Sequence, residues 1–211
     1  MAAPVRIVLA SNNAGKLREM SALLAPLGIE LLPQASLGIG EADEPHDTFV
    51  ENALAKARHA CVASGLPALA DDSGISVNAL HGEPGVYSAR YAQRAGSGNG
   101  DKSDAANNRH LLQRMQGLAD RSAFYYCVLA LVRWPGDPCP LLSEAAWHGE
   151  VVETPRGDNG FGYDPYFYLP ELGRTAAELA PGDKNRVSHR GRAMAGLLAR
   201  LPGSGLPLAP S

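Results

Sequence analysis

The chain has 211 residues, of which 45% are hydrophobic, and its 19 basic and 22 acidic side chains leave a formal net charge of −3. This length predicts one large domain or two lobes that share a core, and the hydrophobic content excludes a disordered chain. The slightly acidic balance excludes a generally basic nucleic-acid coat and a polybasic membrane binder, so we expect neither nucleic acid nor membrane among the partners.

The expected location is the cytoplasm. The N-terminal residues lack a secretory signal pattern, and the longest apolar run is far too short to span a membrane. The three cysteines are too few for a disulfide framework, and Cys61 and Cys127 lie in apolar runs that are typical of buried free thiols.

The first half of the sequence predicts alternating strands and helices. In chain order we expect a strand at 5–10, a helix from Leu17 that Pro26 and Gly28 end, a strand at 30–32, an acidic irregular stretch at 37–47, and a long helix from Thr48 with Val50, Ala53, Leu54, Ala57 and Cys61 on its apolar stripe. We then expect a strand at 67–70 that ends at residues 71–74, strand-like alternation at Ile75, Val77 and Ala79, and a turn at 82–85. Asn12 and Asn13 are both suitable caps for the first helix, and Thr48 with Glu51 forms a capping-box pattern.

The second half predicts a loop, a hairpin and a final helix. We expect a mobile Gly/Ser/Asn-rich loop at 92–108, a helix at about 109–115, a strand at 124–134 paired with 141–152, a glycine-rich loop at 157–165, a helix at about 189–201 and a flexible tail at 202–211. Strand–helix alternation followed by a hairpin is typical of an α/β protein whose mixed sheet is flanked by helices.

A polar turn joins the first strand to the first helix. It consists of Ser11, Asn12, Asn13, Ala14, Gly15 and Lys16. A helix N-terminus with free N–H groups and a nearby lysine favours an anion such as phosphate, although the turn lacks the first glycine and the final hydroxyl of a Walker A loop. The alternative is an ordinary strand–helix turn with asparagine capping.

Two adjacent carboxylates, Asp71 and Asp72, precede Ser73 and Gly74. Mg²⁺ binds one or two carboxylates together with phosphate oxygens, and the acidic stretch from Glu41 to Asp47 can supply a further ligand. The alternatives are an Asp-rich turn and a solvated acidic loop.

Two further segments carry aromatic and basic groups. Residues 160–165, Gly-Phe-Gly-Tyr-Asp-Pro, can form a platform on which a planar base stacks, or simply a glycine-kinked hairpin with core aromatics. Lys184 and the 188–191 segment place Lys, His and Arg before the last helix, where they can donate to a carbonyl or a phosphate, or where Ser188 simply caps the helix.

In combination these motifs resemble the inosine/xanthosine triphosphate pyrophosphatase family. The matching segments, in the order of the family, are 11–16, 48–53 with Lys56, 70–74, 84–91, 160–165 and 184–191. The resemblance implies a two-lobed domain over residues 1–201 with the active-site cleft between the lobes, in a homodimeric enzyme. It further implies that this enzyme hydrolyses ITP, dITP and XTP to the monophosphate and pyrophosphate with Mg²⁺.

The resemblance also implies a role for each motif residue. Asp72 would be the general base and, with Glu44, a Mg²⁺ ligand, while Asp71 and Asp43 are rivals for these roles. Substrate would be bound by Ser11, Asn12, Asn13, Ala14, Gly15, Lys16, Lys56, Ser73, Arg90, Phe161, Gly162, Tyr163, Asp164, Lys184, His189 and Arg190, with Lys16 and Lys56 on phosphate, Phe161 stacked on the base, and Lys184, His189 and Arg190 at the 6-oxo edge of the purine.

The chain departs from the family pattern at two places. Ser11–Asn13 stands where many members carry Thr-Gly-Asn, and the loop at 95–104 is enlarged. Two other functions fit the same residues, namely a nucleotide phosphohydrolase of broader specificity and a nucleotide-binding module without catalysis.

Overall fold

The computed structural model describes residues 4–96 and 102–206. In chain order its elements are β1 (Val5–Leu9), α1 (Ala14–Leu24), β2 (Ile29–Pro33), α2 (Phe49–Ser64), β3 (Ala68–Val77), α3 (Tyr91–Arg94), α4 (Asp104–Arg114), β4 (Ser122–Val132), β5 (Leu141–Val151), β6 (Phe167–Leu169), β7 (Arg174–Thr175), α5 (Pro181–Val187) and α6 (His189–Leu198). Within these described residues no helix has the length and hydropathy that a membrane crossing requires.

Within the described residues the strands form one seven-stranded sheet in the order β2-β1-β3-β4-β5-β6-β7. Strand β1 runs parallel to β2 and β3, with Val5 opposite Ile29 and Val8 opposite Ala68. The pairs β5–β6 and β6–β7 are antiparallel. The prediction of an α/β protein with a mixed sheet is therefore confirmed.

The first of two compact units comprises the described parts of residues 1–72, 128–144 and 192–211. Helix α2 packs against β1 through small buried residues, Ala53, Ala57, Ala60 and Cys61, which allow a close approach. Asn52 is not one of the residues of the predicted apolar stripe, yet it is buried. The reason is that its side-chain amide bonds to both backbone groups of His46, at 3.2 and 3.1 Å, and so holds the preceding loop.

The second unit comprises residues 73–127, as far as they are described, and 145–191. Its core is rich in aromatic residues and includes Tyr125, Trp147, Tyr163 and Phe167. Buried aromatic side chains supply a large apolar area per residue, which suits a unit with short helices.

The predicted break at 71–74, between a strand at 67–70 and the strand-like alternation from Ile75 to Ala79, is wrong, because β3 runs without interruption from Ala68 to Val77. Both aspartates pair with lysines, so their carboxylates are tolerated inside a buried strand. Gly74 is required beyond them, since a Cβ there would collide with the Gly85 carbonyl oxygen and the Ser88 Oγ.

The expected loop at 92–108 is also partly wrong. It contains α3 and the first turn of α4, whose N-cap Ser103 accepts a hydrogen bond from the Ala106 N–H at 3.2 Å. Residues 97–101 of this loop and residues 207–211 of the expected tail lie outside the described residues.

Near the C-terminus, the sequence did not predict α5, and α6 ends at Leu198 rather than about Leu201. The strands β4 and β5 lie within two residues of their predicted bounds and are neighbours in the sheet. Cys61 and Cys127 are buried free thiols, as expected, and Cys139 is an exposed one.

The turn between β4 and β5 is held by the ion pair of Arg133 and Asp137. Asp137 accepts hydrogen bonds from Arg133 Nε at 2.8 Å, Arg133 Nη2 at 2.7 Å and the Cys139 N–H at 3.0 Å. These donors, the Arg133 side chain above all, hold the pKa of the buried Asp137 carboxyl well below its ordinary value of 3.8.

Asp137→Asn is expected to lower the free energy of unfolding by about 1.5–3 kcal/mol at pH 7, the range for hydrogen bonds to charged groups. Because the folded-state pKa is depressed, the advantage of the unmutated protein is complete above the ordinary pKa and declines as the pH falls below it. Urea denaturation of both proteins, from pH 7 to below the ordinary carboxyl pKa of 3.8, measures the difference in their free energies of unfolding. The exposed residue Asp158 provides the control variant, Asp158→Asn. A difference that persists undiminished at the lowest pH would contradict the ionic origin.

Candidate active site

The turn between β1 and α1 is built around Asn13, the N-cap of α1. Its Oδ1 accepts hydrogen bonds from the Gly15 and Lys16 N–H groups at 2.8 and 3.1 Å, and Ser11 Oγ accepts one from the Asn13 N–H at 3.2 Å. Asn12 instead donates to Glu41 Oε1 at 2.9 Å. Because the Asn13 side chain already engages the N–H groups of Gly15 and Lys16, an anion at this turn relies on Lys16 for charge.

Two lysines of the first unit meet acidic side chains, and we call Lys16, Glu44, Lys56, Asp71 and Asp72 the first cluster. Lys16 forms an ion pair with Asp71, whose side chain is fully buried in β3. Lys56, on α2, lies between Glu44 Oε1 at 2.8 Å and Asp72 Oδ1 at 2.7 Å. Two ammonium groups thus face three carboxylates, which leaves one carboxylate charge without a compensating lysine.

Burial and charge act in opposite directions within the first cluster. Burial lowers the pKa of Lys56, but Asp72 and Glu44 together outweigh it, so this pKa lies above its ordinary value. Burial also raises the pKa of the Asp72 carboxyl, and Lys56 and Lys16 offset only part of that rise. A buried carboxyl with a raised pKa has the character of a proton acceptor.

The first cluster has donor atoms for a divalent cation. Among the described residues, Asp72 Oδ2 is buried without a hydrogen-bond partner. In that part of the chain no group of three or more His, Cys, Asp or Glu side chains could hold a metal ion. Glu44 and Asp72 therefore fit a cation such as Mg²⁺ that also takes phosphate and water oxygens, not one held by protein ligands alone. Glu44, rather than its rival Asp43, is the acid that contacts Lys56.

The second unit carries a cluster around the 160–165 loop, and we call Ser73, Phe161, Asp164, Lys184 and Arg190 the second cluster. Asp164 Oδ2 accepts hydrogen bonds from the Phe161 N–H at 2.9 Å and from Lys184 Nζ at 2.6 Å. Gly160 has a φ of +80°, and a Cβ there would collide with the Asp164 carboxylate. The glycine thus allows the tight turn that presents Phe161.

Phe161 has cations near its ring. Lys184 Nζ lies 5.0 Å and Arg190 Cζ lies 5.7 Å from the ring centroid, and Arg190 Nη2 donates to Ser73 Oγ at 3.0 Å. A partly exposed aromatic ring beside two fixed cations can stack on a planar ligand and offer it hydrogen-bond donors.

His189 lies next to Arg190 in the chain but in an aromatic stack. Its ring lies 4.7 Å from that of Tyr125 at an interplanar angle of 6°, and 6.3 Å from that of Trp147. Arg90 packs over the ring of Tyr87 at 5.4 Å, and Arg94 lies over the same ring at 3.6 Å.

Sequence reasoning missed several residues around the second cluster. Tyr125 contacts Asp164 and His189, and burial raises its pKa well above the ordinary value. Asp104 and Asn108, from α4, bond to the backbone of Gly162. The Asn-rich start of α4 is the available signal in the sequence, but the same composition is also typical of a loop.

The clusters are joined along the chain at consecutive residues of β3. Asp72 belongs to the first cluster and Ser73 to the second. The structure thus brings Lys16, Glu44, Lys56, Asp71 and Asp72 together in one unit, and Ser73, Phe161, Asp164, Lys184 and Arg190 together in the other.

Comparisons with known proteins cover nearly the whole chain. Residues 7–200 match the profile of the Ham1 family. The dITP/XTP pyrophosphatase of Bordetella pertussis is 64% identical over 200 residues, which are 95% of this chain and 92% of that protein. The dITP/XTP pyrophosphatase of Burkholderia pseudomallei is also 64% identical, over 95% of both chains.

Two solved structures of Ham1 proteins are similar to this chain over nearly its whole length. A HAM1 protein from Coxiella burnetii has a TM-score of 0.86 and 47% identity, and covers 95% of this chain and 100% of that one. The Ham1 protein of Staphylococcus aureus has a TM-score of 0.81 and 38% identity over 94% of this chain and 98% of that one.

Proposed function

Because this chain belongs to the Ham1 family, we propose that it hydrolyses the non-standard purine nucleoside triphosphates dITP, XTP and ITP to the monophosphate and pyrophosphate. The observation that carries the proposal is the first cluster, in which two lysines pair with three carboxylates and the buried Oδ2 of Asp72 has no hydrogen-bond partner among the described residues. The names of the relatives, dITP/XTP pyrophosphatases, support the substrate class.

The phosphate chain is bound by Lys16 and Lys56. Both ammonium groups are already aligned by carboxylates, so they need little reordering when a triphosphate arrives. Ser11 and the turn residues through Gly15 complete this site beside Lys16, with the Asn13 side chain capping the Gly15 and Lys16 N–H groups.

Divalent-metal dependence follows from the charge of the substrate, and the proposed ion is Mg²⁺ held by Glu44 and Asp72. A bound Mg²⁺ would neutralise phosphate charge and make the bound water more acidic. The chain's own contribution is to hold two carboxylates at fixed positions, because Lys56 bonds to both.

Asp72 is the proposed general base. Its Oδ2 accepts the proton of the water that attacks the α-phosphorus, and pyrophosphate leaves from the opposite side. Positioning and charge neutralisation then supply most of the acceleration, since the protein forms no covalent bond in this reaction.

The purine base of the substrate is recognised at the second cluster. Phe161 stacks on the purine, with Gly162, Tyr163 and Asp164 shaping the turn, while Lys184, His189 and Arg190 donate toward the 6-oxo group and Arg90 contributes charge. An adenine brings a 6-amino donor to these donors, so one hydrogen bond is lost and two donors meet.

The proposal also covers the partners, the domain organisation, the oligomeric state and the location of the protein. A net charge of −3 disfavours long nucleic acid but leaves single nucleotides as substrates, because the two clusters place Lys16, Lys56, Lys184 and Arg190 where a nucleotide would bind. A single nucleotide pyrophosphatase domain over residues 1–201, a homodimer and a cytoplasmic location complete it.

The test is Mg²⁺-dependent release of pyrophosphate from inosine, xanthosine, adenosine and guanosine triphosphates. We expect kcat/KM for the inosine and xanthosine substrates to exceed that for ATP by at least about 100-fold. Comparable rates on all four would favour the phosphohydrolase of broader specificity. Binding without pyrophosphate release would favour the module without catalysis.

Lys16→Ala is expected to raise the KM for dITP by about 10-fold or more, the effect of losing one charge-assisted hydrogen bond, with a smaller change in kcat. Steady-state kinetics measure both constants. Arg18→Ala, an exposed residue of the same helix, removes the same charge and serves as control. Unchanged KM and kcat in Lys16→Ala would remove this lysine from the site.

A further inference from the structure

Gly162, in the turn that presents Phe161, is held through both of its backbone polar groups. Its N–H donates to Asp104 Oδ2 at 2.6 Å, and its carbonyl oxygen accepts from Asn108 Nδ2 at 2.9 Å. Asp104 and Asn108 lie one turn apart on α4. The same Asn108 Nδ2 donates to the Asp104 carbonyl oxygen at 2.9 Å, which locks the orientation of the amide.

The neighbouring residue of α4, Asn107, holds a second motif segment. Its Oδ1 accepts from the Ala92 N–H at 3.0 Å, and its Nδ2 donates to the Ala89 carbonyl oxygen at 3.2 Å. This segment includes Arg90. Asp104, Asn107 and Asn108 together are called the polar clasp below.

The two segments that the polar clasp holds also contact each other. The Tyr163 hydroxyl donates to the Ser88 carbonyl oxygen at 2.8 Å. The loop with Phe161 and the segment before Arg90 are thus joined directly and through one helix.

The asparagine side chains of the polar clasp bond to backbone groups outside their own helix. Asparagine side chains destabilise a helix interior unless they have specific partners. Those of Asn107 and Asn108 are buried and bond to backbone groups from outside the helix, Asn108 through its Nδ2 alone, since its buried Oδ1 has no hydrogen-bond partner in the part of the chain that the structure describes. Gly162 has a φ of +65°, so its backbone has more freedom to lose than that of other residues. Holding both of its polar groups removes that freedom before a ligand binds.

We propose that the polar clasp consists of positioning residues that preorganise the Phe161 loop for purine binding. This inference rests on the proposed function, because it assigns the second cluster to the base. The effect of the polar clasp is confined to the purine base of the substrate, since no described hydrogen bond or ion pair joins the polar clasp to Lys16 or Lys56. Loosening the clasp should therefore weaken binding of the nucleoside portion and leave binding of the phosphate chain unchanged.

The experiment compares a ligand that has a base with one that has none. For each variant, we would measure the KM and kcat for ITP and the inhibition constant of inorganic tripolyphosphate, which offers the phosphate chain alone. The variants are Asp104→Ala, an exposed residue, and Asn108→Ala. Asp104→Asn keeps an acceptor oxygen for the Gly162 N–H, and Arg109→Ala is the exposed control on the same helix.

We expect Asp104→Ala and Asn108→Ala to raise the KM for ITP by about 3–10-fold, as for the loss of one hydrogen bond, with kcat and the tripolyphosphate constant unchanged. Asp104→Asn should restore most of the affinity, and Arg109→Ala should behave as the unmutated protein. Equal losses for ITP and tripolyphosphate, or an unchanged KM in Asp104→Ala, would overturn the proposal.

Binding of inosine monophosphate, measured by calorimetry, separates this proposal from the proposed function. If the unmutated protein releases no pyrophosphate, the proposed function fails, but weaker binding of inosine monophosphate to Asp104→Ala still supports the clasp. If the unmutated protein does not bind inosine monophosphate, or binds it no better than Asp104→Ala does, the clasp proposal fails.

Discussion

Asp72→Asn is expected to lower kcat for pyrophosphate release from dITP by about 10²–10⁴-fold, the range for a positioned general base. An asparagine has nearly the same shape, and its side-chain oxygen can still accept from Lys56. It cannot take a proton from water, and it removes one carboxylate from the pair proposed for Mg²⁺. The loss should therefore appear in turnover while the protein stays folded, which steady-state kinetics and thermal unfolding measure together.

The matched control is Asp71→Asn, at the adjacent position of the same strand. Asp71 pairs with Lys16 and is fully buried, so its replacement should affect the alignment of that lysine more than the acceptance of a proton. We expect this variant to keep kcat within about tenfold of the unmutated enzyme. A larger loss in Asp71→Asn than in Asp72→Asn would reassign the base to Asp71, and undiminished turnover in Asp72→Asn would contradict the mechanism.

The second large effect is expected in stability. Asp164→Ala should lower the free energy of unfolding by about 3–5 kcal/mol, the usual cost of breaking a buried ion pair on one side. Lys184 is 5% exposed, and its ammonium would remain buried without the carboxylate that it bonds to at 2.6 Å. The Phe161 N–H would lose its acceptor as well. Urea denaturation at neutral pH measures the change.

Two comparisons isolate the buried charge as the cause. Asp183→Ala breaks the exposed pair with Arg186 and should change stability by no more than about 0.5 kcal/mol. The double variant Asp164→Ala/Lys184→Met removes both charges and should recover part of the loss, because the buried ammonium that loses the Asp164 carboxylate is removed as well. A loss below about 1 kcal/mol, or no recovery in the double variant, would refute this account.

The elements that the sequence predicted well are those with strong local signals. Asn13 caps α1 and Gly28 ends the turn after it with a left-handed backbone, as their residue types indicated. Strands β4 and β5 are long and apolar, and their bounds were predicted within two residues. Capping and apolar patterning act over a few residues, so a sequence displays them directly.

The errors lie where distant contacts outweighed local preference. Asp71, Asp72, Ser73 and Gly74 are all common in turns, yet they continue β3 because lysines from α1 and α2 neutralise the carboxylates. The Gly, Ser, Asn and Asp content of residues 92–108 predicts a loop where α4 begins, and Asn107 and Asn108 are weak helix formers. Their hydrogen bonds to Ala92 and Gly162 compensate for that weakness.

By itself, the sequence determined the α/β class, the family resemblance and the residue types of the proposed site, since these depend on local patterns and on the order of motifs. Tertiary structure decided which acid meets which lysine, that Glu44 rather than Asp43 contacts Lys56, and that α4 holds the Phe161 loop. The physical reason is that an ion pair or a hydrogen bond forms between any suitable groups that the fold brings within about 3 Å. The residue types limit which hydrogen bonds and ion pairs are possible, and the tertiary structure determines which of them form.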